Sequence, residues 1–350
     1  MQPRKAVLNM APYHPPTGNR LDKMRLDFNE NTVGCSPRLV EFLKSRISPE
    51  LLAVYPDYRS VKETLAAHFG VQPDEFTMTN GTDEAIQVFI NTYIDDGDQV
   101  LIPRPSYAMY RFYAEVAGAA VREVEYPAPR YEFPVDALLA NISPATRAVC
   151  ISNPNNPTGT GVGRDVLERI IEAAGDAVVL VDEAYFEFSG VTALDWIGKY
   201  RNLFVSRTFS KVYGMAALRV GCLFSHRENV AFLQKAQSPY SVNMLAAMAA
   251  QEAVKDGDYV AGYVSEALSA RQLLCFGLDR LQIPFVPSSA NFVLANFGSR
   301  AIQVRDTLRE HAVLVRDRSY EAPGCVRITV GTRAQAERVL TELEAMWRKI

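Results

Sequence analysis

The sequence predicts an α/β fold joined to a smaller α+β domain, on three observations. Short apolar runs that are continuous rather than alternating recur through the middle of the chain, each followed by a turn and a helical pattern. Such runs mark strands buried on both faces of a sheet, hence helices layered on either side. At 350 residues, 48% of them hydrophobic, the chain exceeds the roughly 250–300 residues at which a single core stops growing. Beyond about Asp256 the pattern changes to one long helix and then more alternating strands.

Taken in order, residues 1–45 are read as an N-terminal arm and part of the smaller domain. Residues 46–255 form the large layered domain, and 256–350 the rest of the small one. Strands are expected at "QVLIP" (Gln99 to Pro103), "RAVCIS" (Arg147 to Ser152), "AVVLVD" (Ala177 to Asp182), "LFVS" (Leu203 to Ser206) and "RVGCLFS" (Arg219 to Ser225). Helices alternate with them at Asp83 to Ile94, Tyr107 to Ala117, Asp165 to Ala174 and Ser241 to Lys255, where apolar residues recur at helical spacing. The small domain adds "FVPSSANFVLANF" and "VRITVG" as strands and a final helix.

Composition narrows the function. A formal net charge of −3 with scattered Lys and Arg leaves no basic stripe for nucleic acid and no polybasic tail for a membrane surface. The partner expected is a small molecule. The N-terminal "MQPRKAVLNMAPYHPP" has no apolar stretch suited to a signal peptide or a membrane span, so the cytoplasm is the expected compartment. Five widely spaced cysteines, none in CxxC form, argue against a disulfide framework, and the four histidines lack metal-ligand spacing. No metal is expected.

Ligands of such a sheet sit beyond the carboxyl ends of its strands, and four strand ends carry chemistry. In "FTMTNGTDEA" a helix begins at about Thr82, turning the backbone N–H groups of Thr82 and Asp83 toward an anion. "ISNPNNPTG" follows another strand with three asparagines and two prolines in a fixed turn. "VLVDEAYFEF" sets Asp182 directly behind four apolar residues, where an unpaired carboxylate is costly. "SRTFSKVYGMAALRVG" places Lys211 and Arg219 among small and apolar residues. A lysine amine, a buried aspartate, a helix N-terminus and an arginine are the parts that a pyridoxal phosphate site needs. The lysine holds the aldehyde, the aspartate keeps the ring nitrogen protonated, and the other two hold the phosphate.

At these residues the chain resembles the fold-type I aminotransferases, which have a mostly parallel central sheet layered by helices, and within them the histidinol-phosphate aminotransferases. The likeness runs from "LDFNEN" at Leu26 to "VRITVGT" at Val326. It implies pyridoxal 5'-phosphate as cofactor, with Lys211 as the Schiff-base lysine and Arg219, Thr208 and Ser210 on the phosphate. Asp182 would pair with the pyridinium, Tyr185 and Asn156 with the ring O3', and Tyr107 would stack on the ring. Tyr55 would reach the phosphate of a neighbouring subunit's cofactor, implying a homodimer with shared sites. Arg327 would grip the substrate anion, with Arg316 as a second cation and Tyr13 and Tyr240 as hydroxyl donors. The reaction implied moves the amino group of L-histidinol phosphate to 2-oxoglutarate, giving imidazole acetol phosphate and glutamate.

Thr32 and Cys35 stand where the family has prolines, so a looser N-terminal loop is expected. "SPYSVN" and "VLVRDRS" have the look of the histidinol-phosphate branch, although related segments occur in enzymes of phenylalanine and phosphothreonine. An aromatic aminotransferase and a phosphothreonine decarboxylase-like enzyme are therefore the rival readings. A dinucleotide-binding loop is not, because "GTGVG" continues with Arg164 where GxGxxG requires glycine.

Overall fold

The computed structural model describes residues 1–8, 10 and 20–347, and among these described residues the strands form two sheets. The larger sheet has seven strands in the order β2-β8-β7-β6-β5-β3-β4. These are β2 (Phe76–Thr79), β3 (Gln99–Arg104), β4 (Ala120–Glu125), β5 (Thr146–Ser152), β6 (Val178–Asp182), β7 (Leu203–Thr208) and β8 (Gly221–Ser225). The smaller sheet, ordered β1-β11-β12-β10-β9, contains β1 (Met24–Leu26), β9 (Phe285–Val286), β10 (Phe292–Asn296), β11 (Val313–Asp317) and β12 (Cys325–Thr329).

In the larger sheet only β8 runs against its neighbours, pairing antiparallel with both β7 and β2. Since β3 to β7 are mutually parallel, the carboxyl ends of β2, β3, β5, β6 and β7 and the amino end of β8 share one edge. One rim therefore collects the turns at 80–83, 105–107, 153–156, 182–185, 208–211 and 219–220. Every residue of β2, β6, β7 and β8 is buried, as the continuous apolar runs require. Apolar clusters fill both faces: one holds Leu167, Ile170 and Phe209, the other Ile86, Phe89 and Tyr110.

Boundaries differ from the sequence expectation by a few residues. The first helix of the rim spans Gly81–Tyr93, starting one residue before Thr82, and the next spans Ala108–Ala117. Arg164–Ala174 begins one residue early, and the expected Ser241 to Lys255 helix shortens to Met244–Ala253, where the Asn243 side chain caps it by accepting from the Ala246 N–H. Arg219 lies outside β8, with φ +55°. The edge strand β4 and the helix Ala301–Glu310 had no sequence reading. β4 is largely exposed, so it lacks the buried-run signature. The 31–34 loop is pinned rather than loosened. Asn31 Oδ1 accepts from the N–H groups of Val33 and Gly34, Thr32 Oγ1 donates to Gln335 (2.7 Å), and Tyr259 donates to the Gly34 carbonyl (2.6 Å).

Candidate active site

A cavity of about 450 Å³ opens between the rim of the larger sheet and strands β11 and β12 of the smaller one. Of the residues singled out in the sequence, Thr82, Asp83, Tyr107, Asn156, Asp182, Tyr185, Thr208, Ser210, Lys211, Arg219, Arg316 and Arg327 line it. Tyr55 and Tyr240 do not. Both are exposed, and their rings pack on each other 4.7 Å apart. Tyr240 thus does not line the cavity of its own chain. Tyr13 lies outside the described residues.

At the N-terminus of the Gly81–Tyr93 helix, Gly81 takes φ +77°, and a methyl group there would collide with the Arg219 guanidinium. This close approach brings Arg219 against the free N–H groups of a thirteen-residue helix, so backbone dipole and guanidinium face the same space. Arg219 donates to Asp83 Oδ2 (3.2 Å), and the Asp83 carboxylate also accepts from Tyr107 Oη (2.6 Å). The Asp83 side chain therefore positions Arg219 and Tyr107, leaving only its backbone N–H for an anion. Thr208 Oγ1 accepts from the Ser210 N–H at 3.1 Å, which shapes the turn that follows β7.

Asp182 ends β6 and is 2% exposed. Its Oδ2 accepts from Tyr110 Oη (2.6 Å) and its Oδ1 from Ser206 Oγ (2.9 Å) and the Ala184 N–H (3.2 Å). Burial pushes its carboxyl up while these donors pull it down. No cationic side chain of the described residues pairs with it, so it is a buried carboxylate presented to a cavity. Beyond β7, Lys211 Nζ donates to the Phe28 carbonyl at 2.9 Å. Burial, with Arg327 nearby, lowers this amine to about 8. Tyr185 accepts from Asn29 Nδ2 (2.9 Å), which leaves the phenol proton free to donate.

Opposite the rim, Arg316 and Arg327 are register partners across β11 and β12. Arg327 is buried and donates to Asn156 Oδ1 and to the Asp27 carbonyl (2.6 Å), while its Nε has no partner. Burial and the neighbouring Arg318 and Arg316 lower it to about 10. Neither Arg316 nor Arg327 has an acidic partner among the described residues. Arg316 lies over the Phe28 ring at 5.6 Å, whereas Arg318 is paired with Glu321. Asp317, next to Arg316 in the sequence, approaches Arg305 instead (3.9 Å).

The Aminotransferase class I and II profile matches residues 21–343. The chain belongs to the class I and II aminotransferase family. A histidinol-phosphate aminotransferase of Geobacillus thermodenitrificans is 32% identical, the match covering 100% of this chain and 99% of that protein. One of Symbiobacterium thermophilum is 35% identical over 98% of each. The solved histidinol-phosphate aminotransferase of Sinorhizobium meliloti, a complex with pyridoxal-5'-phosphate, matches with a TM-score of 0.85 over 93% of this chain and 91% of its own; at 22% identity that likeness speaks for the fold alone.

Several residues in and behind the wall of this aminotransferase's cavity escaped the sequence reading. Phe28, Asn29 and Glu30 reach the cavity because β1 pairs in parallel with β11 from the far end of the chain. Ser206 sits directly across from Asp182 in the β6–β7 register, and Tyr110 lies one helical turn after Tyr107 on the same helix. Two signals were available: the serine of "LFVS" at a strand end, and the i, i+3 spacing of the tyrosines in "PSYAMY". Among the described residues no group of three or more His, Cys, Asp or Glu could hold a metal ion, and no helix is long and apolar enough to cross a membrane.

Proposed function

We propose that this aminotransferase transfers the amino group of L-histidinol phosphate to 2-oxoglutarate, using pyridoxal 5'-phosphate, as a cytoplasmic homodimer. The observation that carries the substrate is the pair Arg316 and Arg327, two guanidiniums on neighbouring strands that line the cavity with no acid of the described residues paired to them. A monocarboxylate would neutralise one. A phosphate, carrying up to two charges and three acceptor oxygens, suits both.

The cofactor fits the remaining wall. Asp182, a buried carboxylate whose donors are all neutral, suits a pyridinium nitrogen, and the Gly81–Asp83 turn with Arg219 and the hydroxyls of Thr208 and Ser210 suits a phosphate. Lys211 would hold the aldehyde, Tyr185 and Asn156 the ring oxygen, and Tyr107 the ring face. When bound, the group supplies an electron sink for the electrons of the substrate Cα–H bond. Lys211 Nζ, brought to about 8 by burial, is neutral in roughly a tenth of molecules near pH 7. It is therefore poised to take the Cα proton and give it back. Arg327 orients the substrate anion, and Tyr107 and Phe28 line the space beside it.

A dimer is supported by the exposed apolar side chains Ile47, Leu52 and Val54 in the segment leading to Tyr55, whose exposed ring packs on that of Tyr240. Tyr55 would then complete the partner's phosphate site. The test is to load the protein with pyridoxal 5'-phosphate and add histidinol phosphate, phenylalanine or phosphothreonine in turn, following the visible cofactor band. Histidinol phosphate should discharge the band at the lowest concentration. A lower requirement for phenylalanine would establish the aromatic rival, and carbon dioxide release from phosphothreonine the decarboxylase.

A further inference from the structure

We propose that Tyr110 and Ser206 are positioning residues that keep the proton shared by Asp182 and the cofactor on the ring nitrogen rather than on the carboxylate. The inference rests on the reading of Asp182 as the partner of that nitrogen. A carboxylate and a pyridine nitrogen that share one proton have two forms, an ion pair and a neutral pair. Only the ion pair makes the ring a strong electron sink. Burial in a low-dielectric site favours the neutral pair, because it disfavours both charges. Donors aimed at the carboxylate oxygens reverse that preference, since they stabilise the anion and not the acid.

The structure supplies these donors in a fixed arrangement. Tyr110 is wholly buried and donates to Asp182 Oδ2 at 2.6 Å. Its phenol, pushed well above its ordinary value by burial and by Asp182 itself, remains a donor across the working pH range. Ser206, also wholly buried, donates to Oδ1 at 2.9 Å from the neighbouring strand, where it is the register partner of Asp182. Both oxygens thus carry a side-chain hydroxyl donor, and each donor is held by a regular element. Tyr110 stands on the helix that also presents Tyr107 to the cavity, the two rings meeting edge-on at 5.8 Å. Ser206 lies on β7, five residues before Lys211. Neither hydroxyl lies on the cavity wall, so neither acts by touching substrate. Their effect passes through Asp182.

The test is to load wild type, Tyr110→Phe, Ser206→Ala and Asp182→Asn with pyridoxal 5'-phosphate labelled with nitrogen-15 in the ring, and to record its nitrogen resonance at neutral pH. Wild type should lie in the protonated range. Tyr110→Phe and Ser206→Ala should each move toward neutral pyridine, with kcat for histidinol phosphate lowered about tenfold, the scale of one charge-assisted hydrogen bond, and KM nearly unchanged. A resonance that stays at the wild-type position in both variants overturns the inference. Should Tyr110→Phe fail to fold, Ser206→Ala decides alone, since Ser to Ala removes a single oxygen. The underlying reading fails differently: it falls if Asp182→Asn leaves the nitrogen as protonated as wild type.

Discussion

Asp182 and Glu183 are consecutive, both buried, both at the end of β6, and their surroundings are opposite. Glu183 turns away from the cavity and meets Arg207 at 2.7 Å, the two side chains 0% and 5% exposed. Thr192 Oγ1 donates to it as well, and so does the Ala193 N–H. Arg207 also lies over the Phe186 ring at 3.5 Å. Asp182 turns toward the cavity and receives only neutral donors. The same contrast recurs among the arginines: Arg318 has Glu321, whereas Arg316 and Arg327 have no acid among the described residues. Glu183 and Arg318 find the opposite charge within the fold, and the function proposed above gives the missing partners of Asp182, Arg316 and Arg327 to ligands.

The largest effect that would break this contrast is at Lys211. Lys211→Ala should bind the cofactor without the visible band of the lysine-linked form and lose about 10⁴-fold in turnover, the upper range for removing a positioned acid–base group. An active variant would end the whole account. Next come Glu183→Gln and Asp182→Asn, matched substitutions on adjacent residues. Glu183→Gln leaves a buried guanidinium without its partner, and chemical denaturation of the cofactor-free protein should register a loss of about 3–5 kcal/mol. Asp182→Asn should change that stability by less than about 1 kcal/mol while lowering turnover at least about tenfold, or about 1.4 kcal/mol. If the two substitutions behaved alike in both assays, the division between structural and ligand-facing charge would be wrong.

A smaller effect sharpens the picture through pH. Lys211 is lowered to about 8 by burial and by Arg327, so its amine is charged below that value and neutral above it. The rate at which cofactor-free protein takes up pyridoxal 5'-phosphate into its visible band should rise with pH up to about 8 and level off beyond. A rise continuing toward the ordinary lysine value near 10.5 would place Lys211 in contact with water.

The large sheet was legible because apolar runs in its buried strands are closed by polar residues, as Ser152, Asp182 and Ser206 each close one, and the runs alone mark a sheet covered on both faces. Cavity-lining residues such as Asn156, Tyr185, Ser210 and Lys211 followed, since they sit within a few positions of those ends. What stayed hidden depends on pairing across the chain. Asn29 joins Tyr185 and Thr329 from the opposite end of the sequence. Ser206 has meaning only once β6 and β7 are known to pair in register, and a fully buried Tyr110 reads as core until its hydroxyl is seen on Asp182. That Tyr240 lies off its own chain's cavity was hidden for the same reason, its segment being recognisable but its direction not.

The central claim is that the two guanidiniums without acids hold a phosphate, and Arg316 isolates it, because Arg327 serves carboxylate and phosphate alike. Single-turnover measurement of both half-reactions, histidinol phosphate on the loaded enzyme and 2-oxoglutarate on its aminated form, should be made for wild type and Arg316→Ala. The account predicts that the substitution slows the histidinol phosphate half-reaction by about 2 kcal/mol more than the other, roughly thirtyfold. Equal losses in the two half-reactions, or none in either, would contradict it.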